Sequence, residues 1–333
     1  MKNFTVLGDG YLQTPYGIFG GVSSHVCRAT GELEGLSLSA RNVLLTHAGE
    51  LTPFFTETPR RKRKYAVAYH KNGMVKSVSL EAQQEVVTPI GGLPAELVTF
   101  YDTGELCRVF PLDGKLSGFW REEDERSLQT PLSFDLGFVS FTAAVGCLCF
   151  YKSGRIRSVT LFPGETVAVQ TAYGAIPTQV GFSLYEDGAL ASLEPAVPVP
   201  LPTPLGTLTA FQPNAAGVSA DANSLTFTPD GQIRRLSTVC ETIVVSRPDG
   251  TAEWISPRDI LNPLDGETYV TQAISIQFLP NQTVSFDDSA PLSPGDCSFT
   301  VIPYRPSGVS GCSPVACASC QLGCGAMPGA AVP

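Results

Sequence analysis

The residues of this chain that are best suited to chemistry are four cysteines near its C-terminus. Cys312, Cys317, Cys320 and Cys324 are four of the ten cysteines in the 333-residue sequence, with the spacing C-x4-C-x2-C-x3-C. They lie among Gly, Ala, Ser and Pro, and no charged residue follows Arg305. Four thiolates in one short loop can enclose a single metal centre, because small neighbours let the backbone wrap tightly and direct N–H groups at sulfur. We therefore expect these four cysteines to be metal ligands.

The spacing favours an iron–sulfur cluster over zinc. The first three cysteines match the C-x4-C-x2-C part of the plant-type ferredoxin pattern, whose fourth ligand lies much farther along the chain. Here the fourth cysteine follows after three residues, which leaves a [4Fe–4S] cluster or another arrangement open. Structural zinc sites usually pair two separated C-x2-C units, so zinc is the less natural metal for this spacing.

Two other interpretations of the cysteine-rich segment remain open. Its thiols could stay unliganded or form two disulfides, although disulfides belong to oxidising compartments. The segment also resembles the precursors of thioether-bridged peptides, in which a peptide-modifying enzyme acts on a small-residue, cysteine-rich C-terminus. The chain would then be a carrier for a modified peptide.

The segments that precede these cysteines are repeats. One phrase, an aromatic or apolar pair followed by two polar residues, Gly and apolar positions, occurs about seven times. Its clear copies are residues 69–78, 100–109, 150–159 and 184–193, and weaker copies centre on Gly31, Gly231 and Asn281. A second phrase, Thr-x-x-Gly, starts at Thr14, Thr46, Thr88, Thr171 and Thr203, with a variant at Thr130. Self-similarity with a period of about 40 residues indicates a repeat architecture.

Both phrases predict β-hairpins, because Gly stands where a turn needs positive φ between apolar flanks. We expect an elongated all-β repeat of antiparallel hairpins, either a β-solenoid or a stacked sheet, over residues 1–300 and an uncharged cysteine-rich tail over 301–333. The uneven apolar spacing of residues 156–161 suggests a bulge or two-sided burial. Only residues 121–128 and one turn at residues 256–261 show helical signals. Prolines alternate over residues 197–204, which predicts an edge strand or polyproline II.

Composition limits the partners. The formal net charge of −9 disfavours nucleic acid, since phosphate binding needs positive charge. One basic run, Arg60–Lys64, predicts a solvated loop or, as the alternative, contact with an anion or a membrane surface. The N-terminus lacks the apolar run of a signal peptide, and no stretch approaches the ~18 apolar residues of a membrane span. We therefore expect a cytoplasmic protein without a transmembrane segment.

The sequence gives little support for an enzyme. Its three histidines, His25, His47 and His70, stand in or beside repeat turns, and no hydrolase, Walker A or dinucleotide motif occurs. The acidic run of residues 122–125 is interpreted as a solvated loop. Cys27, Cys107, Cys147 and Cys149 belong to the repeats, where a buried thiol packs as a small apolar side chain.

Residues 100–106 (FYDTGEL) and 113–120 (DGKLSGFW) resemble MORN-type repeats, in particular the bacterial YwqK-type antitoxin repeats. The resemblance implies stacked antiparallel hairpins that serve binding or scaffolding, with no family active site. We therefore expect a non-enzymatic scaffold that docks a protein partner, while the cysteine-rich tail transfers electrons or delivers a cluster. A pure interaction module with an unliganded tail is the alternative.

Overall fold

The computed structural model describes residues 3–61, 65–115, 120–213, 215, 220–262 and 265–305. These residues form 29 strands and one short helix. The elements in chain order are β1 Thr5–Gly8, β2 Tyr11–Thr14, β3 Gly17–Phe19, β4 Val22–Cys27, β5 Leu33–Leu38, β6 Leu44–Thr46, β7 Gly49–Leu51, β8 Val67–Tyr69, β9 Val75–Thr88, β10 Gly91–Phe100, β11 Leu106–Phe110, α1 Glu122–Arg126, β12 Leu132–Asp135, β13 Ser140–Ala143, β14 Val145–Phe150, β15 Ile156–Leu161, β16 Val167–Thr171, β17 Gly174–Leu184, β18 Leu190–Pro195, β19 Val199–Thr203, β20 Gly206–Ala210, β21 Leu225–Phe227, β22 Ile233–Thr238, β23 Glu241–Ser246, β24 Ala252–Ile255, β25 Arg258–Leu261, β26 Tyr269–Gln272, β27 Ile274–Phe278, β28 Val284–Phe286 and β29 Ser298–Pro303.

One antiparallel sheet of 15 strands forms the framework. Its strand order is β28-β27-β22-β21-β18-β17-β15-β14-β11-β10-β9-β8-β5-β4, and β16 pairs with β17 beside this path. Neighbours in the sheet are mostly neighbours in sequence, so the sheet grows hairpin by hairpin along the chain. This arrangement confirms the predicted all-β class with few helices, built from antiparallel hairpins.

The aromatic-Gly phrase closes seven hairpins of this sheet in the same way. In one copy, the Tyr151 N–H donates to the Arg155 carbonyl at 2.8 Å and the Gly154 N–H donates to the Tyr151 carbonyl at 2.9 Å. Gly154 has φ of +85°, which explains why the phrase keeps Gly there. The same pair of bonds recurs in the turns that begin at Arg28, His70, Tyr101, Tyr185, Thr228, Arg247 and Leu279.

One row of residues crosses the long sheet and is apolar throughout. Its members pair in register from strand to strand and are all fully or almost fully buried: Leu36, Val67, Val78, Val98, Val109, Leu148, Val159, Phe182, Leu193 and Leu225, continued by Leu236, Ile276 and Phe286. Burial of each such side chain contributes roughly 1.5–3 kcal/mol relative to exposure. This row is the centre of the core.

The Thr-x-x-Gly phrase forms a second set of hairpins that covers this apolar face. In five of them the Thr hydroxyl donates to the Gly carbonyl three residues later, as in Thr88 to Gly91 at 2.6 Å. Their buried side chains join the row in one hydrophobic cluster: Leu12, Leu44, Leu51, Val86, Val169, Ile176, Leu201 and Leu208. Two layers therefore enclose the core, and the opposite face of the long sheet stays polar.

The covering hairpins overlap the repeats rather than matching them one to one. Tyr16, in the first Thr-x-x-Gly turn, accepts a hydrogen bond from the Val75 N–H at 3.1 Å, beyond the intervening turn at Arg28. Tyr173 likewise accepts a hydrogen bond from the Ile233 N–H at 3.3 Å, beyond the turn at Tyr185. These two covering hairpins thus contact turns that belong to later repeats.

Three local expectations can be compared with the structure. The helical signal at residues 121–128 is confirmed by α1. The alternating prolines form β19, which pairs only with β20 among the described strands and so confirms an edge strand. The helical turn expected at residues 256–261 is wrong, because Arg258–Leu261 is strand β25 paired with β26. Strand β29 runs past residue 300, the expected end of the repeat body.

Candidate functional site

The four cysteines predicted as metal ligands, Cys312, Cys317, Cys320 and Cys324, lie outside the described residues. The same holds for residues 62–64 of the basic run. Within the described part of the chain, no group of three His, Cys, Asp or Glu side chains is arranged to hold a metal ion.

Arg60 and Arg61 lie inside the protein. Arg60 makes two hydrogen bonds of 2.8 Å to Glu96 and two of 2.7 and 2.8 Å to Glu125. Arg61 is 5% exposed and donates to the Leu80 carbonyl at 2.6 Å. The interpretation of these two arginines as part of a solvated loop or of a free anion-binding surface is therefore wrong. They cross-link β9, β10 and α1.

Glu125 shows why this cluster is structural. Its carboxylate accepts hydrogen bonds from Trp120 at 2.7 Å and from the Gly114 N–H at 2.8 Å, in addition to those from Arg60. Burial opposes ionisation of Glu125, but the hydrogen bonds from Arg60, Trp120 and Gly114 together outweigh it and lower the pKa of Glu125. The expected solvated loop is therefore wrong in part: the acidic run forms helix α1, in which Glu122 and Glu123 are exposed but Glu125 is only 6% exposed.

The three histidines also have local structural partners. His70 Nε2 lies 3.0 Å from the Phe100 carbonyl oxygen and His47 Nδ1 lies 3.1 Å from that of Gly104. His25 packs edge-on against Phe4 with ring centroids 5.7 Å apart. His47 and His70 stand in or beside turns, as their sequence positions predict, whereas His25 lies within strand β4.

A repeated β-bulge shapes the polar face of the long sheet. In six hairpins the register shifts by one residue just after the turn, as where Thr99 pairs with Arg108 but Phe100 pairs with Leu106. The extra residues are Glu34, Lys76, Cys107, Arg157, Ala191 and Arg234. A bulge bends its strand and leaves the extra residue unpaired. The bulge expected in residues 156–161 is thereby confirmed.

The residues that follow the bulges belong to a polar row across the sheet, the counterpart of the apolar row. Its members pair strand by strand: Ser77, Thr99, Arg108, Cys149, Ser158, Ser183, Ser192, Thr226, Arg235 and Gln277. Together with the bulge residues they form what we call the polar face. It carries small hydroxyl and thiol side chains between longer basic ones.

The polar face is basic although the chain is acidic overall. Lys76, Arg157 and Arg234 are exposed and Arg235 is half-buried, whereas the net charge of the whole chain is −9. None of these four has a carboxylate partner among the described residues. Arg108, in contrast, is paired with Asp221.

Residues 220–224 lie across the polar face and border a cavity. Ser158 donates to Asp221 at 2.6 Å, and Asn223 donates to Ser192 Oγ at 2.7 Å. The cavity has a volume of about 340 Å³, and its lining includes Arg234 and Arg235. Asn223 is 4% exposed, and its Oδ1 atom has no hydrogen-bond partner among the described residues. Basic side chains and an unpaired acceptor therefore meet in one recess.

Three cysteines cluster on the polar face beside this segment. Cys107 is half-buried, whereas Cys147 and Cys149 are 3% and 1% exposed. The Arg108 guanidinium lies 3.8 Å from Cys147 Sγ. A hydrogen bond from the Cys149 thiol, with smaller help from Tyr101, Thr99 and Arg108, lowers the pKa of Cys107 to about 6 against the effect of burial. Cys147 and Cys149 therefore pack as buried side chains, but they also interact with Arg108 and Cys107, respectively.

The sequence contains a signal for this face that the phrase search does not use. After each turn Gly, the apolar positions fall two and five residues later, as with Leu106 and Val109 after Gly104. A spacing of three between buried positions breaks the period of two of a regular strand and requires an extra residue. This spacing therefore locates the bulge residue and the polar-row residue that follows it, because both lie between the two apolar positions.

No protein-family model, curated protein or solved structure matches the chain. Among the described residues, no helix has the length and apolar character that crossing a membrane requires.

Proposed function

We propose that the protein is a scaffold, not an enzyme, that docks an acidic segment of a protein partner on the polar face of its long sheet. The observation that carries the proposal is the repeated bulge, which places Lys76, Arg157 and Arg234 at equivalent positions of different repeats. A basic face on an acidic chain attracts negatively charged partners and speeds their association.

The spacing of these basic residues suggests the shape of the ligand. Lys76 and Arg157 lie on strands that are four sheet positions apart, and so do Arg157 and Arg234. At about 4.8 Å per position, each interval is about 20 Å, which an extended peptide covers with about six residues. An acidic segment of about twelve extended residues would therefore reach all three.

An acidic peptide tests this docking surface. A fluorescein-labelled Glu/Gly peptide of about twelve residues (~3.3 Å per residue) is titrated with the full chain at low and physiological salt, and binding is followed by fluorescence anisotropy. Exposed charge pairs contribute roughly 0.2–1 kcal/mol each. The variant Lys76→Glu/Arg157→Glu/Arg234→Glu should therefore weaken binding by about tenfold or more.

The matched control is Arg41→Glu/Arg121→Glu/Arg258→Glu, which changes net charge equally at exposed positions of other elements. The control should bind within about twofold of the wild type, since Coulomb interactions beyond about 10 Å are screened at physiological salt. Equal losses in both variants would show that net charge alone attracts the peptide, and this would overturn the docking surface.

The second part of the proposal is that Cys312, Cys317, Cys320 and Cys324 hold a metal centre, an iron–sulfur cluster, for electron transfer or cluster delivery to the docked partner. The spacing C-x4-C-x2-C-x3-C in an uncharged, small-residue segment supports it. Zinc is the less favoured metal. The cytoplasm, where thiols stay reduced, is the compartment that goes with this proposal.

Anaerobic purification tests the metal centre. The wild type should be brown, with visible absorbance and stoichiometric iron and sulfide, and the four-fold Cys→Ser variant of the tail should be colourless. The control Cys27→Ser/Cys240→Ser should keep the cluster. A preparation that remains metal-free after reconstitution would contradict this part and favour the interaction module with unliganded thiols. An intact mass that stays lower by two hydrogens per crosslink after reduction with dithiothreitol would indicate the thioether-modified carrier, since disulfides regain their hydrogens on reduction.

The resemblance to MORN-type repeats is compatible with this proposal, because it implies stacked hairpins that serve as binding scaffolds. Membership of that family is part of the proposal. If a partner binds equally well after deletion of residues 306–333, docking takes place on the repeat body and does not require the C-terminal cysteines.

A further inference from the structure

Two cysteine side chains on the polar face come from adjacent strands. β11 pairs with β14 so that Arg108 lies opposite Cys149. Cys107 is the bulge residue just before Arg108, since Phe100 pairs with Leu106 and Thr99 with Arg108. The bulge therefore places Cys107 on the polar face, next to Arg108, which lies between Thr99 on one neighbouring strand and Cys149 on the other.

The surroundings of the two thiols differ. Cys107 is half-buried and open to reagents, whereas Cys149 is 1% exposed. The Cys149 thiol, with smaller contributions from Tyr101, Thr99 and the positive charge of Arg108, lowers the pKa of Cys107. These groups stabilise a thiolate on Cys107, which is the form of cysteine that reacts.

We propose that Cys107 and Cys149 are a redox-active pair, in which the Cys107 thiolate is the attacking group and Cys149 closes a disulfide with it. The oxidant is a hydroperoxide, with hydrogen peroxide as the simplest member. Both cysteines lie on the polar face, but their reaction requires neither a docked partner nor the C-terminal cysteines.

The reaction balances with these groups alone. The Cys107 thiolate attacks one peroxide oxygen, the O–O bond breaks, and the leaving hydroxide takes a proton to become water. The Cys107 sulfenic acid that results is attacked by Cys149 sulfur, so that an S–S bond forms and the S–O bond breaks. The Cys149 proton leaves with the hydroxyl as a second water. Two thiols and one peroxide thus give one disulfide and two waters, and sulfur supplies the two electrons.

Other charged and titratable groups face the pair from each neighbouring element. Arg157 lies on the neighbouring strand β15, with its guanidinium 5.8 Å from the centre of the Tyr151 ring. Asp221 approaches from the segment across the face, where it is paired with Arg108. Cys147 is a weaker candidate for the second thiol, because it lies two residues along β14 from Cys149, the residue that is paired with Arg108.

Alkylation kinetics test the first half of the inference. The folded full chain is treated with iodoacetamide over a range of pH, and the modified cysteines are quantified by peptide mass spectrometry. The rate at Cys107 should rise with a midpoint near pH 6, where its thiolate forms. Exposed Cys27 is the internal control for the amount and activity of the reagent. A Cys107 midpoint at or above the ordinary value for a free thiol, about 8.5, would overturn the assignment.

Peroxide treatment tests the second half. Limited hydrogen peroxide should give a peptide pair joined through Cys107 and Cys149, with the loss of two hydrogens, before Cys27 is oxidised. Cys149→Ser should stop at a sulfenic acid on Cys107 that dimedone traps, and Cys107→Ser should leave Cys149 reduced. Thermal melts confirm that both variants fold. Oxidation that spares this pair, or that joins Cys107 only to other cysteines, would refute the inference.

Discussion

The Tyr151 hydroxyl donates a hydrogen bond of 2.8 Å to the carbonyl oxygen of Leu184, the residue that precedes the equivalent tyrosine of the next repeat. Four more bonds of this kind link consecutive turns: Arg28 to Tyr69, His70 to Phe100, Tyr101 to Phe150 and Tyr185 to Phe227. The first residue of each turn therefore ties its hairpin to the following one.

Removing these hydroxyls should weaken the array without disturbing its core. Tyr151→Phe and Tyr185→Phe should each lower the free energy of unfolding by about 1 kcal/mol, and up to about 3 kcal/mol if the carbonyl is left without a partner. Urea denaturation measures the loss. Tyr269→Phe is the matched control, since that side chain is 71% exposed. Equal stability of all four proteins would contradict the role of the inter-repeat bond.

The Arg60 cluster makes a larger contribution that depends on pH. Arg60→Met leaves two buried carboxylates, Glu96 and Glu125, without their main partner and should cost about 3–5 kcal/mol at neutral pH. Arg258→Met, at an exposed position, is the control. The double variant Arg60→Met/Glu125→Gln should recover part of the loss, because one buried charge has then been removed.

The pKa of Glu125 is lowered in the folded protein, so its ionised form favours folding. That stabilisation is complete above the unfolded-state pKa, about 4.3, and is lost as pH falls through the lower folded-state value. The stability difference between wild type and Glu125→Gln should therefore shrink with acidification. Urea midpoints measured at several pH values check this, and a difference that grows in acid would contradict it.

Glu194 should show the opposite trend. It is 3% exposed, accepts hydrogen bonds of 2.6 and 2.7 Å from Ser224, and burial raises its pKa. The folded state therefore holds its proton more tightly, so stability is highest below the unfolded-state pKa and declines as pH rises through the folded-state value. Glu194→Gln should remove this decline and unfold at higher urea at neutral pH. Glu253→Gln, on an exposed strand, is the control.

Gly181 should tolerate no side chain. Its φ is +134°, and a Cβ atom there would lie 1.9 Å from the Val159 carbonyl oxygen and 2.8 Å from Ala220 Cβ. Gly188 also has positive φ, +95°, but a Cβ would meet nothing within 4 Å. Gly188→Ala should thus cost only backbone strain, roughly 1–3 kcal/mol, whereas Gly181→Ala should cost more and displace residues 220–224. Thermal melts and alkylation of Cys149 measure the two effects.

The repeat architecture could be predicted because its turns are chemically explicit. Gly154 and its equivalents need positive φ, and Thr88 with its equivalents caps the second set of turns, so both phrases survive in the sequence. The helical turn expected after Ser256 failed because pairing of β25 with β26 outweighed the local capping pattern. Local propensity decides little where a strand partner is available.

The sites were harder to predict, since they depend on pairing between distant segments. Arg60 meets Glu125 65 residues later, and a run of charges gives no sign of such a partner. Cys107 and Cys149 come together only through the register of β11 and β14 combined with a bulge. The spacing after each turn Gly reveals the bulge, but the neighbour of the bulged residue requires the sheet order. Cys312, Cys317, Cys320 and Cys324 stay a prediction from their spacing.

The overlap between covering hairpins and later turns changes how the array can be cut or stretched. Tyr16 bonds to Val75 and Tyr173 to Ile233, each across an intervening turn. Repeat proteins with contacts between nearest neighbours only can lose a terminal unit while the rest persists. Here the contacts reach past the nearest neighbour, so the removal of one repeat would expose surface on two others. Mechanical load applied at either end is consequently distributed over several hairpins, and the evolutionary gain or loss of length has to proceed in larger blocks than one repeat.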